Sequence, residues 1–208
     1  MMVSALIERE QASALPIRSG VFIAVVGPSG AGKDTLIAHA KAALADEPQV
    51  EFVRRVITRP CDGATEDHDT LTDGEFVEAQ TDGAFALAWE AHGLRYGLPA
   101  SIDGAIENGH VAVANVSRGA LPALRQRYAN VAVVEVTADP EILAARLAGR
   151  GRESRGEILA RLARTITCDT TGPNAIALDN SGPKDIAGDR LVAIIRKAVA
   201  FADISGTV

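Results

Sequence analysis

Apolar positions change their period in a regular way along this chain. Val21-Phe-Ile-Ala-Val-Val26 is an unbroken apolar, β-prone run, the pattern of a strand covered on both faces. A glycine-rich turn follows it. Lys33 to Leu44 is alanine-rich and predicts a helix that stops before Pro48. Phe52-Val-Arg-Arg-Val-Ile57 predicts a second, more polar strand. Residues 58–98 break this rhythm. Gly, Asp and Thr are frequent there and apolar runs are short, which predicts a small insertion. Within it, a short helix is expected from Asp73 to Gln80, and short strands near Phe85–Trp89 and Leu94–Tyr96.

The alternation then resumes. Pro99-Ala-Ser101 opens a helix to about Glu107, and strands are expected at Val111–Ala114, Val131–Val136 and Ala175–Leu178. Helices are expected at Leu121–Tyr128, Pro140–Leu147 and Ile186–Phe201, with a charged helical stretch over 152–166. Strands alternating with helices predict an α/β fold with a parallel sheet flanked by helices. The expected organisation is one domain. Residues 1–19 form a loose arm, 20–57 and 99–208 the core, and 58–98 the insertion.

Composition narrows the function. Of 208 residues, 47% are hydrophobic and 23% charged, so the chain can bury a core and is not disordered. Acidic residues outnumber basic ones, 27 to 21, and the net charge of −6 disfavours nucleic acid as a partner. Aromatics at 4% argue against a base-stacking platform. No apolar run is long enough to span a bilayer, and Glu8, Arg9 and Glu10 stand where a signal peptide needs an apolar core. The expected location is cytoplasmic, with no membrane partner. Cys61 and Cys168 are far apart in sequence and read as thiols, and no histidine has metal-ligand spacing. A homodimer is compatible with the sequence, which does not fix the oligomeric state.

The strongest chemical signal is Gly27-Pro28-Ser29-Gly30-Ala31-Gly32-Lys33-Asp34-Thr35. It fits G-x-x-x-x-G-K between a buried strand and a helix, the setting that defines a phosphate-binding P-loop. Glycines let backbone N–H groups converge on phosphate oxygens, the helix start adds positive potential, and Lys33 reaches the β- and γ-phosphates. ATP is therefore the expected co-substrate, through residues 27–35. One position departs from the usual pattern. The Ser or Thr that follows the lysine and binds Mg²⁺ is Asp34 here. Asp34 is either a Mg²⁺ ligand, direct or through water, or a carboxylate favoured by the helix start. No acid marks the end of the strand at Val111–Ala114, which runs into Asn115, and this favours Asp34 as the metal's partner.

A basic cluster follows downstream, Arg146-Leu-Ala-Gly-Arg150-Gly-Arg152, ahead of a helix with Arg161 and Arg164. Arginines on a closing segment supply the charge stabilisation and water exclusion that phosphoryl transfer needs. Residues from about 146 to 166 are the expected lid. Arg146, Arg150 and Arg152 are the expected catalytic arginines beside Lys33.

These motifs together resemble the guanylate kinase-like branch of the nucleoside monophosphate kinases. The resemblance runs from residue 21 to about 200 through the P-loop, Thr58-Arg59-Pro60, Glu75-Phe76, His92-Gly93 with Tyr96-Gly97, Arg118-Gly119-Ala120 and Arg146 to Arg152. It implies a P-loop NTPase core with a small acceptor-binding insertion and an arginine-rich lid. The base-reading positions of that family hold Arg55, Leu87, Leu98 and Val116 here. The acceptor-phosphate residues Arg59 and Tyr96 are retained, while Asp62 replaces the second arginine. The resemblance therefore implies a phosphorylated acceptor other than GMP.

One subfamily is similar in particulars, the ribose 1,5-bisphosphate phosphokinases of phosphonate degradation. The matching residues are Lys33-Asp34, Ile57–Pro60, Glu66-Asp-His68, Phe85–Trp89, Ser117-Arg118 and Arg150–Glu153. This implies ATP-dependent conversion of ribose 1,5-bisphosphate to 5-phosphoribosyl 1-diphosphate, with ADP released. Arg55, Arg59, Tyr96 and Arg118 become the acceptor-binding candidates. His68 and Asp69 read as solvated loop residues before sugar contacts, His92 as a turn former and Trp89 as core. The acceptor phosphate is already anionic, so no general base is required. Two rival readings are a guanylate kinase and an inactive binding module of the same fold. The intact Lys33 and P-loop glycines argue against the second.

Overall fold

The computed structural model describes residues 15–59, 68–148 and 175–205. The 152–166 stretch, Arg150, Arg152, both cysteines and Asp62 lie outside the described residues.

Five parallel strands form the main sheet. They are β1 (Val21–Val26), β2 (Val50–Phe52), β7 (Val111–Asn115), β8 (Val131–Thr137) and β9 (Ala175–Asp179), in the order β2-β7-β1-β8-β9. The all-apolar β1 takes the centre because only a central strand has both faces covered, and all six of its residues are buried. Its side chains alternate between two cores. Val21, Ile23 and Val25 pack with Leu36 and Ala40 of α1 (Lys33–Ala43) and with Leu191 and Ile195 of α6 (Lys184–Ser205). Phe22, Ala24 and Val26 pack with Ile102 and Ile106 of α3 (Ser101–Glu107) and Leu121 and Leu124 of α4 (Leu121–Arg127). Helix α5 (Pro140–Ala148) joins the first core through Leu143, Ala144 and Leu147.

A second sheet has the order β4-β3-β6-β5, from β3 (Arg55–Ile57), β4 (His68–Thr70), β5 (Phe85–Ala91) and β6 (Leu94–Pro99). Its hairpin turns through His92 and Gly93, both at positive φ (53° and 72°), the backbone a two-residue hairpin loop favours. Helix α2 (Asp73–Thr81) starts with a reciprocal cap between Thr72 and Glu75. It packs Phe76 on Phe85, with ring centroids 4.6 Å apart.

Three expectations need correction. The single strand over Phe52–Ile57 is two strands in two sheets. Val53 N–H still donates to Val113 O at 2.9 Å, but Arg54 turns away to pair with Asp69, and Arg55 opens β3. The loop at His68 is strand β4, parallel to β3, with His68 buried. Residues 15–19 are not wholly loose. Ile17 N–H donates to Arg127 O, Ala129 N–H donates to Ile17 O, and Ile17 packs on the second core. Its backbone N–H satisfies a helix-end carbonyl that has no intrahelical donor, while its side chain gains burial on the second core.

Candidate functional site

The P-loop joins β1 to α1. Gly32 caps α1 with left-handed backbone (φ 89°) and no side-chain cap, so the first N–H groups of the helix are left for an anion. A side chain could not replace its hydrogen, because a Cβ there would lie 2.5 Å from Asn180 Nδ2. Gly27 is as tight, with a Cβ position 2.2 Å from Val136 O. Lys33 Nζ donates to Gly27 O (2.8 Å) and Pro28 O (3.0 Å), which folds the ammonium over the loop.

The loop is braced by Asn180, which the sequence did not single out, and by Arg146, which it did. Asn180, buried just past β9, donates from Nδ2 to Ala31 O at 2.7 Å. Its own N–H donates to Thr137 O. Arg146 of α5 donates to Asn180 O at 2.9 Å and points Nη1 at Gly30 O, 3.5 Å away. Arg146 thus contacts the P-loop backbone and the Asn180 brace together.

In front of the loop lies a cleft of about 480 Å³. One wall is the P-loop and helix start, with Gly27, Ser29, Gly30, Gly32, Lys33, Asp34 and Thr35. The other wall is the second sheet, with Arg55, Arg59, Trp89, Ala91, His92, Leu94 and Tyr96. Asn115, Val116 and Ser117, at the end of β7, close the floor. Among the described residues of the lining, three cations, Lys33, Arg55 and Arg59, stand with one carboxylate, Asp34, a positive excess suited to phosphate.

The second sheet assembles its wall through register. Trp89 pairs with Tyr96 across β5 and β6, and their rings stack at 5.4 Å and 9°. Arg55 sits 6.0 Å from the Tyr96 centroid, close enough for a cation–π contact. Its Nη2 is 3.6 Å from Asp34 Oδ1, an ion pair between the two walls. Arg59 Nη2 lies 3.5 Å from His68 Nε2, and Thr70 Oγ1 donates to Arg59 O at 3.1 Å. His68 is therefore a buried backing for Arg59, which its polar neighbours in sequence concealed.

Other expected residues fall differently. Arg118 does not line the cleft. It donates to Glu135 Oε1 at 2.6 Å beside β8, a charge-assisted pair that engages its guanidinium. Trp89 packs against the second core, as expected, and also lines the cleft, and its buried Nε1 has no hydrogen-bond partner among the described residues. Of the apolar residues at base-reading positions only Val116 lines the cleft. Leu98 is fully buried, paired with Leu87 one step deeper on the hairpin.

This P-loop, held on a parallel sheet against a cationic wall, defines a P-loop phosphotransferase. A guanylate kinase structure from Anaplasma phagocytophilum superposes with a TM-score of 0.62 at 17% identity, covering 88% of each chain, and shares the fold. No family model matches the chain. A ribose 1,5-bisphosphate phosphokinase PhnN from Chelativorans sp. (strain BNC1) is 49% identical over 205 residues, 98% of each chain. The protein of the same name from Brucella melitensis is 52% identical over 163 residues, 78% of this chain and 85% of its own. The chain belongs to the ribose 1,5-bisphosphate phosphokinase family. Among the described residues no helix is long and apolar enough to cross a membrane.

Proposed function

We propose that the protein transfers the γ-phosphoryl group of ATP to ribose 1,5-bisphosphate. The observation that carries this reading is the cleft. Lys33 stands on one wall, Arg55 and Arg59 stand on the other, and among the described residues no carboxylate or side-chain amide lies on the second-sheet wall to read a base. An oxygen of the sugar's 1-phosphate attacks the γ-phosphorus. The bond from that phosphorus to the β–γ bridging oxygen breaks, ADP leaves with the electron pair, and 5-phosphoribosyl 1-diphosphate is formed.

Each residue then has a task. The P-loop amides and Lys33 hold the β- and γ-phosphates and offset the charge that spreads in transfer. The insertion at 58–98 builds most of the second sheet and takes β3 from the core side, and together they bind the acceptor. Arg59, backed by His68, and Tyr96 bind the attacking phosphate, while Arg55 binds the other. Arg118 serves from its Glu135 pair as a support of the floor. Arg146 holds the loop's shape, and Arg150 and Arg152 belong to the lid that excludes water. The anionic acceptor needs no base. A cytoplasmic location agrees with the use of ATP.

Asp34 and Thr35 put oxygen donors on the cleft beside Lys33, a set that fits a hard cation completed by water and phosphate oxygens. Asp34, with Thr35 alongside, would hold Mg²⁺ there, and the ion would supply positive charge to the phosphates.

The test is a side-by-side measurement of kcat/KM for ribose 1,5-bisphosphate and GMP with ATP in excess. A wall without paired polar readers gives guanine no compensation for desolvation, so a preference of about a hundredfold or more for the bisphosphate is expected. Comparable values, or a preference for GMP, overturn the assignment.

A further inference from the structure

P-loop enzymes generally hold their cation with a hydroxyl that follows the P-loop lysine and a carboxylate at the end of a nearby strand. This chain has both places, with the residue types altered. Asp34 occupies the hydroxyl's position in the first turn of α1. Asn115 ends β7, the strand hydrogen-bonded beside β1, with Asn115 opposite Val25 two residues before the P-loop. The two side chains meet. Asn115 Nδ2 donates to Asp34 Oδ1 at 2.7 Å, and Asn115 is only 8% exposed.

We propose that the strand-end carboxylate has been transferred to the helix. In this arrangement Asp34 is the cation's carboxylate, and Asn115 is the positioning residue that fixes it. The proposal rests on the cation-binding part of the reading above.

Three features support it. First, the cleft keeps a carboxylate for the cation in a different place: among the described residues of its lining the one carboxylate is Asp34, on the helix. Second, an amide at position 115 is the partner a carboxylate at 34 requires. It offers a donor, whereas a second carboxylate at 2.7 Å would repel it, and a buried amide donor without an acceptor would be costly. Third, both contacts of Asp34 fall on Oδ1, from Asn115 and from Arg55 at 3.6 Å. Oδ2 makes no hydrogen bond among the described residues. The Asp34 side chain keeps 37% exposure against 10% for Arg55. Asp34 is thus anchored by one oxygen and open at the other. An outer residue that orients a ligand typically contributes about 10–100-fold to metal affinity.

The experiment asks whether the two roles can be returned to their usual places. Mn²⁺ serves as the probe. Its binding to the whole protein with a non-hydrolysable ATP analogue is read from the free-ion electron paramagnetic resonance signal. D34S removes the ligand itself and should weaken Mn²⁺ binding by about a hundredfold or more, beyond the range for an outer residue. N115A should weaken it by a smaller factor while analogue binding without metal stays unchanged. The double variant D34S/N115D, which restores hydroxyl and strand-end carboxylate, should recover most of the loss. A double variant no better than D34S overturns the exchange. Should its thermal melt show that it does not fold, N115A decides alone, and wild-type Mn²⁺ binding in N115A overturns the positioning role. Unchanged binding in D34S removes the cation-binding reading itself and this inference with it. No sugar enters the assay, so failure of the acceptor assignment leaves the result standing.

Discussion

The two walls of the cleft are built by opposite strategies. The P-loop wall grows from the most apolar strand of the chain, and its chemistry lies in nine consecutive residues, 27–35. The second-sheet wall draws on three strands and the residues beyond β3, and its chemistry is scattered over Arg55, Arg59, Trp89 and Tyr96. In the proposed reading the backbone binds on the first wall, so glycines and a buried brace at Asn180 matter. On the second wall the proposed binding groups are long side chains. Each is steadied by a neighbour, Arg55 by Tyr96 and Asp34, Arg59 by His68. A site for a triphosphate tail common to many enzymes needs only the first strategy. A site for one acceptor needs the second.

The sharpest way to separate the walls is Lys33→Ala. It removes charge from the transferring group and no core volume, so kcat should fall by about a thousandfold. Far-ultraviolet circular dichroism and thermal melting should stay as in the wild type. Turnover near normal in such a folded variant would remove the donor role from the first wall.

Arg59→Gln should act on the other wall alone. Losing charge-assisted hydrogen bonds worth about 1.5–3 kcal/mol should lower kcat/KM for the acceptor by roughly tenfold to a hundredfold. The KM for ATP should hold. A rise in the ATP KM with an unchanged acceptor term would mean the walls have been assigned the wrong way round.

The smallest kinetic effect is expected outside both walls. Arg127 donates from both Nε and Nη2 to Asp103, and Tyr128 Oη donates to the same carboxylate at 2.7 Å. Burial pushes the Asp103 carboxyl up, but the Arg127 and Tyr128 hydrogen bonds and the Arg127 charge together bring it below its ordinary value. Burial and Asp103 in turn push the Tyr128 phenol far up, so it stays protonated at neutral pH. A depressed carboxyl stabilises the fold above its unfolded value and loses that contribution as pH falls through its lower folded value. Asp103→Asn should cost about 1–3 kcal/mol at neutral pH and flatten the acid limb of the stability curve. Activity at room temperature should not change. An acid limb identical to wild type would show that the cluster carries no proton linkage.

What could be read from the sequence follows the same division. Contiguity made the P-loop legible, because a motif of glycines and one lysine between a buried strand and a helix has a local meaning. The main sheet was legible because β1, β7 and β8 carry their burial in their own composition. The brace on Ala31 was not, since Asn180 is 149 residues away and an Asn after a strand signals nothing by itself. Nor was the division of Phe52–Ile57, where every residue tolerates a strand and only the Val53 hydrogen bond to Val113 decides where the main sheet ends. His68 was hidden by acidic neighbours that suggest solvent. Its burial comes from pairing with β3, a partner the local pattern does not name.

The Trp89–Tyr96 stack has an optical consequence. Trp89 is the only tryptophan in the chain. Light absorbed by indole and not by phenol is therefore re-emitted from a single spot, on the cleft wall that faces the P-loop. Native emission, with no dye attached, reports on that wall alone: whatever settles against the stack, or shifts the indole relative to its tyrosine neighbour, changes brightness and colour, and the rest of the molecule stays dark.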